Sequence, residues 1–330
     1  MSLHLAVDGG NSKTVALLLD ETGAVLGRGR TGCADIYNAE GPESAVAALS
    51  GAVAQAMSEA GAASVDNAAF RIAGVDWPED SDWWREQITR RLPAIGSFSV
   101  TNDALATLRL GRLDGTGLAI TIGTGPAIGA RSSQGREAWS GWWIFDNLGG
   151  WGLAETAVAA VCRAWMGIGP PTALTARLLE LFNEPDVWSL RHAYTRRFGA
   201  RDHGELLQAA RAVLEIAQAG DQVALGIVAD QAASFVGHAS WVADRAGMKP
   251  VADVPIILNG SIATSEHGVL RELLLGGLAE KFPGGKVIAA DAPPIAGCAL
   301  DALAEGGIAL TGRLRDRVAA SNHPPAFLST

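Results

Sequence analysis

Short apolar runs separated by polar turns dominate the start of the chain. Apolar runs at 3–7, 15–19 and 24–29 are separated by the segments DGGNSKT and DETG. Short apolar runs bounded by Gly, Asp and Thr are typical of β-strands joined by tight turns. The pattern therefore predicts three consecutive strands near the amino terminus.

Farther along, segments with apolar residues at helical spacing alternate with short strand-like runs. Such alternation is typical of the α/β class, which is the fold class that we predict. The predicted helices span 43–60, 83–92, 104–109, 153–166, 172–182, 206–219, 222–246, 269–281, 295–304 and 313–319. The further predicted strands span 69–74, 98–101, 117–122, 127–131, 136–140, 255–258 and 286–289.

One pattern of strand, glycine-rich turn, strand, polar turn and strand occurs twice. Gly10 and Gly23 mark the two turns of the first copy, and Gly123 and Gly135 mark those of the second at nearly the same spacing. Such a repeat predicts two related domains, although two β-meanders can also be alike by chance. We expect the first domain to comprise 1–114 plus 293–330 and the second to comprise 115–292.

Composition and charge restrict the class of protein. The 330 residues are 48% hydrophobic and carry a formal net charge of −9, which argues against a general nucleic-acid binder. The start of the chain lacks the pattern of a signal peptide, and no apolar run approaches the length of a membrane span. Cys33, Cys162 and Cys298 form no CxxC pair, which favours a reducing compartment. We expect a cytoplasmic protein without a membrane or nucleic-acid partner.

Two glycine-rich turns have the chemistry that binds phosphates. Main-chain N–H groups in such turns bind anions, and glycine leaves them accessible. The second turn is Gly123-Thr124-Gly125. The first adds hydroxyl and ammonium donors and consists of Gly10, Asn11, Ser12, Lys13 and Thr14. Neither turn has the spacing of a P-loop or of a dinucleotide-binding motif.

Two aspartates lie at the ends of predicted strands. Asp8 precedes the first glycine-rich turn, where a carboxylate beside polyphosphate holds Mg²⁺; the alternative is an aspartate that caps its own turn. Asp103 follows a strand and opens a helix, where it could accept the proton of an attacking hydroxyl. Considered alone, Asp103 fits the common role of a helix cap better.

Five segments, taken in order, resemble the motifs of an actin-like kinase. They are LAVDGGNSKT at 5–14, TNDA at 101–104, AITIGTG at 119–125, ILNGSIA at 257–263 and APPIAGCALDAL at 292–303. In that order they resemble the phosphate-1, connect-1, phosphate-2, adenosine and connect-2 motifs. More narrowly, the chain resembles the BadF/BadG ATPase family, in particular its N-acetylglucosamine and glucosamine kinases.

The resemblance implies two ribonuclease-H-like domains with ATP and a sugar in the cleft between them. It implies Asp103 as the base for the sugar 6-hydroxyl, with Asn102 and Thr124 beside the sugar. It places the two glycine-rich turns around the phosphates of ATP, Mg²⁺ near Asp8, and Gly260 and Ser261 against the adenosine. A homodimer is expected on the resemblance alone.

Three departures from the family pattern concern the substrate. Pro126 and Ala127 replace a polar pair that follows phosphate-2 in N-acetylglucosamine kinases, and Asp35 stands where the family tends to place Asn. Asp146 is our candidate for the acid of the next loop. Because a carboxylate can pair with an ammonium, these residues predict glucosamine 6-phosphorylation, with N-acetylglucosamine kinase as the alternative. Among the clustered tryptophans, we expect Trp139 to contact the sugar, although core packing explains its spacing equally well.

Other activities on this fold are less well supported by the sequence. The activator of a radical dehydratase would need paired cysteines for an iron–sulfur cluster. A sugar-responsive repressor would need a DNA-binding segment ahead of the first strand, and a filament protein would need polymerisation contacts. A non-enzymatic regulator that binds ATP and sugar remains the alternative from another class.

Overall fold

The computed structural model describes residues 2–248, 254–321 and 323–328. The ends of the expected first domain, Met1, Ser329 and Thr330, lie outside the described residues, as do 249–253 of the second. The strands are β1 (Leu3–Gly9), β2 (Thr14–Asp20), β3 (Val25–Thr31), β4 (Val65–Ile72), β5 (Ile95–Asn102), β6 (Gly117–Ile122), β7 (Pro126–Arg131), β8 (Glu137–Trp139), β9 (Pro255–Asn259) and β10 (Lys286–Ala289).

Helices cover and connect the strands, and three further segments are 3-10 turns (Asp103–Leu105, Gly141–Trp143 and His203–Gln208). The α-helices are α1 (Pro42–Glu59), α2 (Pro78–Arg91), α3 (Leu108–Gly111), α4 (Gly149–Trp165), α5 (Leu174–Phe182), α6 (Val187–Thr195), α7 (Ala209–Gln218), α8 (Gln222–Arg245), α9 (Val269–Lys281), α10 (Pro294–Glu305), α11 (Gly312–Ala319) and α12 (Pro325–Leu328).

The strands form two five-stranded sheets of the same topology. The first has the order β3-β2-β1-β4-β5, and the second, read from β8, has the order β8-β7-β6-β9-β10. In each sheet a three-stranded antiparallel meander is followed by two strands parallel to its first strand. The repeat and the α/β class predicted from the sequence are therefore confirmed.

The first sheet is apolar on both faces because helices cover both. Leu5 and Val7 of β1 belong to a buried cluster with α1, whereas Ala6, between them, belongs to a cluster with α10. Side chains of a strand alternate between the two faces, so a strand covered on both sides has no polar face. This explains the nearly continuous apolar runs in the sequence.

The segment between β5 and α3 crosses α10 at close range. A methyl group at Gly297 of α10 would lie 1.8 Å from the main-chain oxygen of Ala106, so only glycine permits this approach. Nearby, the buried carboxylate of Asp301 accepts hydrogen bonds from Arg71 at 2.8 Å and from Arg109 at 2.6 Å. These contacts fit the closely crossing helices implied by the connect motifs; the domain boundaries at 114/115 and 292/293 remain our proposal.

Two helix predictions were wrong in detail. The predicted helix at 104–109 is a 3-10 turn followed by the four-residue α3, and Ala106, which lies between them, packs against α10 at Gly297. The predicted helix at 206–219 begins as the 3-10 turn His203–Gln208 and continues as α7. The sequence analysis also missed α6, a short amphipathic helix capped by Asp186.

Among the described helices, none is by itself long and apolar enough to cross a membrane. One pair bent by 112°, His203–Gln218 with Gln222–Arg245, meets the criteria of length and composition only. The thiols of Cys33, Cys162 and Cys298 are free.

Candidate active site

A cavity of about 380 Å³ opens between the two halves, at the carboxyl ends of the first sheet's parallel strands. We call it the acid-lined cavity because four carboxylates contribute to its wall, those of Asp35, Asp76, Asp103 and Asp146. No lysine, arginine or histidine is among the described residues that line it. Ligands of open α/β sheets bind at this edge, so the cavity is the natural site for a polar substrate.

Asp103 sits at the end of β5 on a short capped turn. The Asn102 side-chain oxygen accepts the Ala104 N–H at 2.9 Å, which fixes the turn that begins with Asp103. Burial raises the pKa of Asp103 to about 8, helped by the neighbouring carboxylates of Asp8, Asp76 and Asp35. A carboxyl group with a pKa in this range is matched to proton transfer near neutral pH.

Asp76 was missed by the sequence analysis. It lies in the loop after β4, and its Oδ1 accepts a hydrogen bond from Asn102 Nδ2 at 2.9 Å. Burial and the charges of Asp35 and Asp80 raise its pKa to about 6, an effect that Asn102 partly offsets. The sequence did contain a signal for Asp76, because an aspartate shortly after a parallel strand often faces a ligand site. The same reasoning that singled out Asp103 after β5 applies to the segment GVDW at 74–77 after β4.

Asp35 lines the cavity but is largely engaged by its own loop. Its Oδ1 accepts the Tyr37 N–H at 2.8 Å, and its Oδ2 accepts Asn38 Nδ2 at 2.8 Å. The carboxylate also packs against Gly74, where an added Cβ would lie 2.3 Å from Asp35 Oδ1. Asp35 therefore has a fixed position and retains free lone pairs for a ligand donor.

The first glycine-rich turn lies between Asp8 and the cavity. The Gly10 N–H donates to the Lys13 oxygen at 2.9 Å, which closes the turn, and Asn11 accepts a hydrogen bond from Asn38 at 3.1 Å. Ser12 is exposed. The buried Thr14 hydroxyl donates to the Gly32 oxygen at 2.8 Å, so it is used within the hairpin.

Asp8 and Lys13 form the charged part of this turn. Burial raises the pKa of Asp8 to about 6, and the nearby Lys13 ammonium opposes that rise. Burial lowers the pKa of Lys13, and its Nζ donates to the main-chain oxygen of Leu328. In this conformation, therefore, the ammonium is bound to the carboxyl-terminal segment.

The second glycine-rich turn is fixed to the start of α4. The Gly150 N–H donates to the Gly123 oxygen at 2.9 Å, and the Trp151 N–H donates to the Thr124 oxygen at 3.0 Å. Gly149 has a φ of +79°, and a Cβ there would lie 2.9 Å from the main-chain carbon of Gly125. Only glycine fits this close approach.

A second cavity, of about 470 Å³, lies on the other side of this turn. We call it the second cavity. Gly123, Thr124 and Ser261 line one part of it. Side chains of α5 and α7 line the rest, among them Arg177 and Arg211.

Gly260 shapes the wall of the second cavity from the end of β9. It has a φ of +99°, and a Cβ there would lie 2.4 Å from the Ile122 oxygen. The turn at Gly260 and Ser261 therefore packs directly against β6, beside the second glycine-rich turn. Thr124 and Ser261 therefore line the second cavity, whereas Asn11 of the first glycine-rich turn lines the acid-lined cavity.

Asp146 lines the acid-lined cavity, whereas Trp139 does not. Asp146 reaches the cavity wall, but its carboxylate is bonded to Ser234 and to His238 Nε2 at 3.3 Å, which lowers its pKa. Trp139 does not line the cavity; it packs against the core under α10. Trp142 lines the cavity instead and contacts Tyr37 of the other domain, with the ring centroids 5.2 Å apart at 87°.

The carboxylates do not form a metal cage by themselves. Within the described residues, no three His, Cys, Asp or Glu side chains are grouped closely enough to hold an ion. Mg²⁺ in nucleotide sites is bound by one or two carboxylates together with phosphates and water. A single carboxylate such as Asp8, next to a glycine-rich turn, fits that mode of binding.

Comparisons with known proteins agree with this geometry. The sequence profile of the BadF/BadG/BcrA/BcrD ATPase family matches residues 5–302. An N-acetyl-D-glucosamine kinase of Dictyostelium discoideum is 25% identical over 317 residues, which are 91% of this chain and 98% of that protein. An N-acetylmuramic acid/N-acetylglucosamine kinase of Clostridium acetobutylicum is 28% identical over 185 residues, which are 54% of this chain and 60% of that protein.

A solved structure shares the fold. A protein of Chromobacterium violaceum, named as a candidate N-acetylglucosamine kinase, superimposes with a TM-score of 0.65 at 21% identity. The match covers 92% of this chain and 99% of that one. The likeness supports the actin-like arrangement of two related domains around a cleft. Because the family profile spans nearly the whole chain, the chain belongs to the BadF/BadG/BcrA/BcrD ATPase family.

Proposed function

We propose that this protein is an ATP-dependent amino-sugar kinase and that its substrate is N-acetylglucosamine, which it converts to the 6-phosphate. The observation that carries the proposal is the position of Asp103, which faces the acid-lined cavity beside the turn that separates it from the second cavity. The curated relatives act on N-acetylglucosamine, so the comparisons favour this sugar over the glucosamine predicted from the sequence.

In the proposed complex the sugar lies in the acid-lined cavity. Asp35, Asn102 and Asp103 provide acceptors for its hydroxyl groups, and the exposed Trp142 offers an aromatic face to the ring. The second cavity receives the adenosine against Gly260 and Ser261. The triphosphate then extends past Gly123, Thr124 and Gly125 toward Asp103 and the turn at Gly10.

Asp103 is the proposed base. It accepts the proton of the 6-hydroxyl while the sugar oxygen bonds to the γ-phosphorus and the bond between that phosphorus and the β–γ bridging oxygen breaks, so that ADP leaves. The raised pKa of Asp103 makes it an effective proton acceptor once it is ionised. The remaining residues position the reactants and keep water away from the γ-phosphate.

The ATP phosphates and Mg²⁺ belong to the same proposal. Asp8 would hold Mg²⁺, either directly or through water, and the ion would neutralise charge on the phosphates. The main-chain N–H groups near Asn11, Ser12 and Thr14 would contact the phosphates, and Lys13 would do so after leaving Leu328.

Glucosamine remains a second candidate because of the charge of the cavity. Four carboxyl groups and no described basic side chain line the cavity. Even with Asp103 protonated near neutral pH, the other carboxylates favour a cation, and glucosamine is a cation near neutral pH. Asp35, which is held with lone pairs to spare, would then pair with the ammonium. N-acetylglucosamine offers no such charge, and its acetamido group would pack against Pro126 and Ala127 instead.

An ADP-release assay with MgATP tests the proposal against N-acetylglucosamine, glucosamine, glucose and buffer alone. We expect N-acetylglucosamine to give the highest kcat/KM. A higher kcat/KM for glucosamine would keep the kinase but reverse the choice of sugar, and Asp35→Asn should then raise KM more for glucosamine than for glucose. ADP release that is the same with and without sugar would reject the kinase.

A further inference from the structure

Asp76 is a cavity carboxylate that bonds to the residue before Asp103 and lies close to Gly141 of the opposite domain. Its Oδ1 accepts Asn102 Nδ2 at 2.9 Å. The Asn102 side-chain oxygen in turn accepts the Ala104 N–H, which caps the turn that carries Asp103. Because Asn102 uses both ends of its amide, its orientation depends on Asp76 as well as on the Val75 oxygen at 3.2 Å.

The loop that carries Asp76 is itself held firmly. Asp80 Oδ2 accepts the N–H groups of Asp76 at 3.0 Å and of Trp77 at 2.8 Å, and Asp80 Oδ1 accepts the Tyr37 hydroxyl at 2.8 Å. Asp80 is buried. The Asp76 carboxylate is therefore presented from a fixed backbone rather than from a flexible loop.

From the other domain, Gly141 approaches the same oxygen. Gly141 opens the 3-10 turn after β8 with a φ of +43°, and a Cβ on it would lie 2.4 Å from Asp76 Oδ1 and 2.8 Å from its Cγ. Any side chain at position 141 would therefore displace Asp76 or open the cleft. The same turn carries Trp142, which contacts Tyr37 across the cleft.

We infer that Asp76 is a positioning residue at the domain seam: it orients Asn102, and thereby the turn of Asp103, when the Gly141 turn is packed against it. The inference rests on the proposed kinase activity, because it assigns Asp76 to the base of that reaction. Asp76 acts through Asn102 and is not itself the proton acceptor.

Two variants of Asp76 distinguish the loss of the hydrogen-bond acceptor for Asn102 from the loss of the negative charge. Asp76→Ala removes the acceptor for Asn102, and we expect kcat to fall about ten- to a hundredfold with a smaller change in KM for ATP. Asp76→Asn keeps an oxygen that can accept from Asn102, so it should recover most of that loss. The control is Asp82→Asn, the same charge change at an exposed position of α2, which should leave kcat unchanged.

A double-mutant cycle with Gly141 tests the contact across the seam. Gly141→Ala should lower kcat, whereas Gly135→Ala, with a φ of +78° but no atom within 4 Å of the added Cβ, should have little effect. In the Asp76→Ala background, Gly141→Ala should cost much less, because the oxygen that it meets is gone. Additive effects on kcat, or a loss confined to KM for the sugar, would overturn the inference.

A measurement without substrate distinguishes this inference from the proposed function. NMR without substrate reads the two hydrogen bonds directly, through the Asn102 side-chain amide and the Ala104 N–H. Asp76→Ala, which removes the acceptor, should change both chemical shifts strongly, whereas Asp76→Asn, which removes the charge but keeps an oxygen, should change them much less. No change in Asp76→Ala, or equal changes in the two variants, would reject the positioning role even if sugars are phosphorylated. The expected difference would support it even if the wild type phosphorylates none of the sugars.

Discussion

The two cavities on either side of the Gly123-Thr124-Gly125 turn differ mainly in charge. The acid-lined cavity has four carboxylates and no described basic side chain, whereas the second cavity includes the guanidinium groups of Arg177 and Arg211. Arg177 is paired with Glu215 at 2.9 Å, and Arg211 has no carboxylate partner among the described residues. One cavity therefore suits hydroxyl or ammonium donors, and the other suits an anion-bearing ligand.

In the proposed complex, this difference would let the sugar bind in the acid-lined cavity and ATP bind in the second cavity. Buried carboxylates that repel one another have raised pKa values, which is useful for taking a proton and unfavourable for holding phosphate. In the proposed complex the phosphates contact main-chain N–H groups of the turns, which carry no net charge. Variants that alter one cavity should therefore affect one substrate or one step more than the other.

The largest effect is expected at Asp103. Asp103→Asn keeps the shape of the side chain but removes the proton acceptor, so kcat should fall by about two to four orders of magnitude. The dissociation constant of ATP, measured by calorimetry, should change little because the second cavity is intact. A variant that retained wild-type kcat would exclude Asp103 as the base, and an equal loss of ATP affinity would point to a structural defect.

The next largest effect is expected from a change in the second glycine-rich turn, Gly123-Thr124-Gly125, which lies between the two cavities. Gly149→Ala places a methyl group 2.9 Å from the Gly125 main chain, so the second glycine-rich turn must move. We expect KM for ATP to rise about tenfold with a smaller rise in KM for the sugar. Gly167→Ala is the matched control: its φ is +71°, but no atom lies within 4 Å of the added Cβ. Equal effects of the two variants would attribute the change to backbone strain alone.

The acid-lined cavity also predicts how stability depends on pH. Below about pH 4 the carboxyl of Asp103 is protonated in both the folded and the unfolded chain. As the pH rises toward 8, the unfolded chain loses this proton while the folded chain retains it, so the free energy of unfolding falls. Asp103→Asn should remove this contribution and should stabilise the protein at pH 8 relative to the wild type. The raised pKa values of Asp8 and Asp76 likewise lower the free energy of unfolding as the pH rises to about 6.

Urea denaturation of the wild type and Asp103→Asn at pH 5 and pH 8 measures this difference. The stability gained by the variant should be larger at pH 8 than at pH 5. A gain that is the same at both pH values would mean that Asp103 ionises in the folded protein near its ordinary pKa.

Local patterns sufficed for the strands and the repeat, because each strand depends on a short run of residues. For Asp103 they favoured a helix cap, and its role as a base came from the family resemblance and stays a proposal. Asp76 could not be found in the same way, since its partner Asn102 is brought to it by the pairing of β4 with β5 and its contact with Gly141 by the meeting of two domains. Likewise, the spacing of tryptophans did not show that Trp142 would face the cavity and Trp139 the core. Trp139 ends β8, whereas Trp142 lies in the 3-10 turn Gly141–Trp143 that follows, so period-two spacing along a strand does not apply to both residues.

The smallest effect is expected in the second cavity, at Arg211. Its guanidinium is exposed and unpaired within the described part of the chain, so in the proposed complex it would add a weak attraction for the ATP phosphates through solvent rather than by a buried contact. Such interactions are screened by salt, and Arg211→Ala should raise KM for ATP about threefold at low ionic strength and less at 0.5 M NaCl. Arg85→Ala, an exposed arginine of α2 remote from that cavity, should have no effect. A rise in KM for the sugar instead of ATP would show that the nucleotide and sugar cavities are assigned the wrong way round.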